Sequence, residues 1–254
     1  MSIQQSAIKT REREFHNMRF GAVEDSRAKV RKYYSVLEDA RICYKSLIAA
    51  NVFHGARVLE YGCGTGEDLE FSRSLDCDFY GIDISPEAIK KAVARAEAAG
   101  FPARYAVGDA ESTNFDCGFF DLVMGKAIIH HLDIDKAMAE LGRITKPTGC
   151  CIFIEPLGHN PVVNLFRLLT PTLRSPDEHP LRERDIQILG RYFRGVEVSY
   201  FGFFSLAAIA FRGTRWCDIA FNRLSQLDRL FLKRFHWFRK YSWYSVIKVS
   251  CPLT

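Results

Sequence analysis

Val58-Leu59-Glu60-Tyr61-Gly62-Cys63-Gly64-Thr65-Gly66-Glu67 is the stretch on which the reading of this chain turns. An apolar, β-branched run gives way to three alternating glycines, with a carboxylate just ahead of the first. Farther on, Tyr80-Gly81-Ile82-Asp83-Ile84 repeats the theme of an apolar strand with a carboxylate at its end. A helix-length segment joins the two. Glycines permit a tight turn and close backbone approach, and a strand-end carboxylate can accept hydrogen bonds from both hydroxyls of a ribose. The pattern predicts a site for a nucleoside-bearing cofactor.

Outward from this pair the alternation continues. It predicts strands at 57–61, 78–83, 104–107, 119–124 and 150–155, and helices at 67–74, 86–99 and 133–145. Ser85-Pro86-Glu87 reads as a capped helix start, Gly100 as a helix stop and Pro147-Thr148-Gly149 as a turn. Strand–helix alternation gives a parallel sheet covered on both faces, with ligands at the carboxyl ends of the strands. Glu60, Asp83 and Asp109 fall there. Residues 24–51 carry apolar positions at helical spacing and read as one or two helices before the sheet. Beyond Glu155 the alternation stops. A proline-rich, polar stretch follows, with a short helix at 162–169 and two final strands at 195–201 and 243–250.

The balance of 48% hydrophobic and 26% charged residues is that of a globular protein. Met1–Phe20 is polar and charged, unlike a signal peptide, and no apolar run is long enough to span a bilayer. The eight cysteines include no CxxC pair and three that fall in strands or turns, so a reduced cytoplasmic protein without structural zinc is expected. The net charge of +5 is local: residues 203–241 hold eight basic side chains against Asp218 and Asp228.

With these motifs in order, the chain resembles class I S-adenosylmethionine-dependent methyltransferases, most closely the small-molecule and ubiquinone/menaquinone-type branch. The resemblance rests on Val58–Gly66, Gly81–Ser85, Gly108-Asp109-Ala110, Phe120–Val123 running into His130-His131-Leu132, and Leu141–Gly149. It implies a Rossmann-like α/β sheet of seven strands with the last antiparallel. Residues 1–52 form an N-terminal helical cap, 53–254 the methyltransferase domain, and 203–241 a helical lid or insertion between the last two strands. The resemblance also implies that Gly62 and Gly64 approach the methionine portion of S-adenosylmethionine, with Glu60 near its amino group. Asp83 then holds the ribose, Ile84 packs on the adenine, and Asp109 and Ala110 meet its edge. Lys126 lies beside the methionine end through its backbone. The product is S-adenosylhomocysteine.

A hydroxyl or acidic carbon acceptor must lose a proton, and His, Asp or Glu is the usual agent. Candidates are His130 and His131 after the fourth strand, Glu155 and His159 after the fifth, Asp177 and His179 in the irregular stretch, and His16 near the start. Glu155 and His159 lead, because a carboxylate and an imidazole at a strand end serve a sheet poorly. No HxE motif or i, i+4 histidine pair supports a metal site. The expected reaction is methylation of a small-molecule or lipid-like acceptor, at oxygen ahead of carbon or nitrogen. Alternatives are a non-methylating nucleotide-binding module and a membrane-associated binding protein. The glycine turn lacks the wider GxGxxG spacing of an oxidoreductase. Nucleic acid is disfavoured, since Gly125-Lys126-Ala127-Ile128 is not the Asp/Asn-Pro-Pro-aromatic motif of nucleic-acid amino methyltransferases. The basic 203–241 segment leaves a packed lid, a homodimer interface and peripheral membrane contact open.

Overall fold

A computed structural model describes residues 3–21, 36–171, 175 and 177–253. Two helices, α1 (Ile3–Gly21) and α2 (Glu38–Asn51), precede the sheet. The chain then runs β1 (Arg57–Tyr61), α3 (Leu69–Arg73), β2 (Asp78–Asp83), α4 (Pro86–Ala98), β3 (Arg104–Val107) and β4 (Phe120–Lys126). There follow α5 (Ile134–Ile144), β5 (Thr145–Pro156), α6 (Pro161–Leu169), α7 (Glu183–Leu189), β6 (Phe193–Phe201), α8 (Cys217–Arg234) and β7 (Tyr244–Pro252). Part of the helical stretch expected over 24–51 lies outside the described residues.

The seven strands are ordered β3-β2-β1-β4-β5-β7-β6, and β7 runs antiparallel to both of its neighbours. Strand order reverses between β1 and β4, so the carboxyl ends of the central strands open a crevice there. Neighbouring residues point to opposite faces, and both faces are covered. Leu59, Val123 and Phe153 pack with Met138 and Leu141 on one side. Val58, Leu122 and Ile152 pack with Tyr44 and Ile48 of α2 on the other. Each such side chain contributes about 1.5–3 kcal/mol by leaving water.

Local signals set the helix starts around the crevice. Ser85 Oγ accepts from Ala88 N–H at 3.1 Å with Pro86 in the first turn, and Asp133 accepts from Lys136 N–H at 3.3 Å. Asn160 accepts from the N–H groups of Val162 and Val163 to start α6.

The structure departs from the expected elements at three places. β5 begins at Thr145, where a register shift pairs it with Phe120 before the regular ladder resumes at Cys150. The helix expected over 67–74 shortens to α3, and the carboxylate of Asp68 bonds Lys126 instead of capping it. Within the polar N-terminal stretch, α1 is a helix of 19 residues. Its inward face carries Ile8, Glu12, His16 and Phe20 at four-residue spacing. Half of that face is polar, so hydrophobic periodicity did not reveal it.

Between β6 and β7 come a 3-10 segment (Ser205–Phe211), α8 and a second 3-10 segment (His236–Tyr241). Leu206, Ile209, Phe221 and Leu224 pack on Val36, Leu37, Val163 and Trp243. Asp228 is buried and anchors the insertion by accepting from the N–H groups of Phe203, Phe204 and Ser205 and from the Ser205 hydroxyl. Among the described residues no helix is long and apolar enough to cross a membrane.

Candidate functional site

The crevice is a cavity of about 950 Å³, at the upper end of the ~300–1,000 Å³ range of small-molecule sites. Glu60, Gly62, Gly64, Asp83, Ile84, Asp109, Ala110 and Lys126 all line it. The strand ends that carry these residues are neighbours in the sheet, which is why positions spread over the sequence converge.

The glycine turn is held from two sides. Gly62 has φ +72°, and a Cβ there would meet Ile128 Cδ1 at 2.7 Å. Both backbone and space therefore demand glycine. Asp83 Oδ2 accepts from Gly64 N–H at 2.9 Å and Oδ1 from Ser85 N–H at 2.9 Å. Each ionised oxygen has a further lone pair, so the carboxylate can brace the turn and still receive a diol. Asp109 Oδ1 accepts from Glu111 N–H at 2.9 Å, and the Tyr61 hydroxyl, buried in the core, donates to the Ala110 carbonyl. Glu60 is buried on the cavity wall. Burial pushes its carboxyl up to about 7, against the opposing pull of the Lys126 ammonium. The Lys126 ammonium itself donates to Asp68.

α1 lies across the crevice and is tied down along its length. Lys9 Nζ is 2.5 Å from Asp109 Oδ2 and 2.8 Å from Glu111 Oε2. Arg11 makes a paired contact with Asp177 at 2.8 Å through both nitrogens, and the Ser85 hydroxyl donates to Asn17 Oδ1 at 2.6 Å. These contacts bring Glu12 over the cavity, 3.2 Å from His131 Nδ1 and 3.5 Å from His16 Nε2, with the Ser175 hydroxyl donating to its other oxygen. Burial works to raise the Glu12 carboxyl, but His131, His16 and Ser175 outweigh it and hold the group well below the usual carboxylate range. Burial, reinforced by neighbouring His130, lowers His131 to about 4. At neutral pH this is a carboxylate facing a neutral imidazole.

The predicted proton-handling residues separate into two sets. His131, His179, His16 and Asp177 line the cavity. Glu155, His130 and His159 do not, which corrects the expectation that Glu155 and His159 lead. Glu155 is fully buried and accepts from Ile128 N–H at 2.8 Å and Ile129 N–H at 2.9 Å, while its second oxygen is 2.7 Å from His130 Nδ1. A strand-end carboxylate serves no ladder, but here it clamps the turn that holds Ala127 at φ +53° and places His131. His159 sits beside α7, where its Nε2 accepts from Glu183 N–H at 3.4 Å. The 203–241 segment, expected as a lid, adds nothing to the cavity wall; α1 and residues Arg184, Gln187 and Ile188 of α7 cover it. Sequence reasoning missed Lys9 and Glu12. The one available signal was the i, i+4 spacing of Glu12 and His16.

Two groups of three donors gather here: Glu12, His16 and His131, and His130, His131 and Glu178, each with donor atoms within 4.8 Å of one another. Within the first, Glu12 Oε2 and the Nδ1 atoms of His16 and His131 are buried without a hydrogen-bond partner among the described residues.

The fit to the expected cofactor rests on this geometry. A Cβ-free turn, a carboxylate with spare lone pairs where the ribose is expected and a buried acid where the ammonium is expected share one wall. Residues 58–149 match the family described as a methyltransferase domain. Over these residues the chain is similar to class I S-adenosylmethionine-dependent methyltransferases. It is 31% identical to ajmaline N-methyltransferase of Rauvolfia serpentina over 55% of this chain and 45% of that protein. It is 30% identical to a ubiquinone biosynthesis O-methyltransferase of Azorhizobium caulinodans over 39% of each. The fold matches phosphoethanolamine N-methyltransferase 2 of Haemonchus contortus, solved with phosphomonomethylethanolamine and S-adenosylhomocysteine. That match has a TM-score of 0.65 and 17% identity over 95% of this chain and 60% of that one. The chain spans about half the length of the first curated relatives it matches.

Proposed function

We propose that this protein transfers a methyl group from S-adenosylmethionine to a small-molecule acceptor held beneath α1, with oxygen as the favoured target. The observation that carries this reading is that the Glu12–His131 pair faces the same cavity as all eight cofactor positions. The cofactor supplies a methyl already activated on a sulfonium sulfur. Asp83 holds the ribose, Asp109 and Ala110 meet the adenine, and Glu60 pairs with the ammonium. The protein's remaining tasks are alignment, exclusion of water and removal of the acceptor's proton. In this reading the His131 imidazole receives the proton, with the Glu12 carboxylate 3.2 Å from its Nδ1. The carboxylate then stabilises the imidazolium that forms. The relatives named for alkaloid N-methylation and ubiquinone O-methylation support an acceptor of small-molecule class. A lipid-like acceptor met at a membrane surface is the variant favoured by the exposed Leu168, Leu169, Leu230 and Trp237.

Calorimetric titration with S-adenosylmethionine tests the cofactor half of the reading. Asp83→Ala loses the ribose partner and the brace of the glycine turn together, and its affinity falls on the order of a hundredfold. Unchanged affinity sinks the proposal. Release of S-adenosylhomocysteine over a panel of phenols, carboxylic acids and amines tests the acceptor half. Transfer to amines alone moves the reaction to nitrogen.

A further inference from the structure

Helix α8 is packed on one side and apolar on the other. Ser225, Asp228 and Leu232 are buried on its inner side, against the body of the protein. On the outer side Trp216, Ile219, Arg223, Leu227, Leu230 and Arg234 recur every three or four residues, the spacing of a single helix face. All six are exposed, Leu230 by 71%. The neighbouring α6 does the same: Val163 is buried in the cluster it shares with the insertion, while Val162, Leu165, Leu168 and Leu169 face outward, Leu168 by 77%. Trp237, 71% exposed, carries the Lys240 ammonium 3.8 Å above its ring, and Arg215 stands 4.9 Å over Trp216.

So many large apolar side chains on two adjoining helices mark an interaction surface. Their company decides the partner. Leucines and tryptophans interleaved with arginines and lysines are the composition of a helix lying in a bilayer interface, its apolar atoms among acyl chains and its cations at lipid phosphates. A second copy of the chain is disfavoured, because a two-fold contact sets the arginine-bearing stripe against itself. We propose that α6, α8 and the 3-10 segment after α8 form a docking surface for an anionic membrane, against which the protein lies without crossing it. The surface is separate from the cofactor cavity, so this inference stands or falls independently of the methyl-transfer reading.

Vesicle flotation of the full chain tests it, with phosphatidylcholine vesicles and with equal parts of phosphatidylcholine and phosphatidylglycerol. The wild type floats with the anionic vesicles and stays behind with the neutral ones. Arg223→Gln with Arg234→Gln weakens partitioning on the order of tenfold, and Leu227→Asp with Leu230→Asp abolishes it, with thermal melting as the check on folding. The wild type alone supplies a second readout. Trp216 and Trp237 are exposed whereas Trp243 is buried, so anionic vesicles shift tryptophan emission to the blue and brominated lipid quenches it. Failure to float, equal flotation with both vesicle types, or emission indifferent to vesicles overturns the proposal. So does a dimer in sedimentation equilibrium that the leucine substitutions dissolve, which assigns the face to a second copy.

Discussion

Glu12 Oε2 stands 3.2 Å from His131 Nδ1, joining the helix that precedes the sheet to the turn that follows β4. Both side chains are buried and both face the cavity, so the contact holds the helix over the crevice beside the imidazole.

His131→Asn is expected to lower turnover on a hydroxyl acceptor by about 10²–10⁴-fold while cofactor affinity stays within a few-fold. Glu12→Gln lowers it less, since the imidazole stays but its positive form loses a partner. With His131 held at about 4, the imidazole is neutral over the whole working range. At saturating cofactor the acid limb of turnover therefore lies near pH 4 to 5, well below the usual histidine value, and stopped assays across pH locate it.

Glu60 is expected to set the pH dependence of cofactor binding. Its carboxyl lies near 7 in the ligand-free fold against an ordinary 4.5, so between these values the folded state holds a proton the unfolded state has lost. That contribution to stability is complete below 4.5 and disappears as pH rises through 7. Pairing with the cofactor's ammonium requires the ionised form, so affinity strengthens from pH 5 to 7 and levels above it, by at most about tenfold per pH unit. Glu60→Gln flattens the profile in calorimetric titrations.

Glu155→Ala removes the acceptor for two N–H groups and an imidazole in a fully buried site. A loss of about 3–5 kcal/mol in denaturant unfolding is expected. Glu155→Gln keeps an oxygen for both N–H groups and costs less. If the glutamine variant melted like the wild type yet lost all turnover with cofactor binding intact, a chemical role for Glu155 would return.

Lys9→Met cuts the tie between α1 and the Asp109 turn. The pair is partly exposed, so global stability changes by about 1 kcal/mol or less. The local effect is larger: amide exchange in α1 accelerates and the acceptor's KM rises more than kcat falls. Equal protection in both proteins removes the tether from the account.

Turnover is expected to survive chelation and dialysis, because proton removal by His131 calls on no metal ion. Loss of activity restored by zinc or manganese assigns the Glu12–His16–His131 cluster to a metal instead.

The strands from Arg57 to Glu155, and the convergence on one cavity of the eight residues expected to meet the cofactor, were readable because each is written locally. A β-branched run, a glycine that no other residue can replace and a carboxylate at a strand end leave their mark within a few residues. The acceptor side was readable only in part. His131 and His179 were singled out and do reach the cavity, whereas Glu155 lies off it, because a turn's need for an acceptor is invisible until the turn is folded. Glu12 and Lys9 were missed because the inward face of α1 is half polar, and burial there answers to charges brought from other parts of the chain.

Spacing and residue type alone set the order of elements from β1 to β5, the wall expected to meet the nucleoside and the location of the basic charge. Folding set which histidines face the cavity, which helix covers it, and that the 203–241 segment packs elsewhere with an apolar face left to solvent. Those outcomes depend on contacts between distant segments, whose energies are set by geometry that no local pattern encodes.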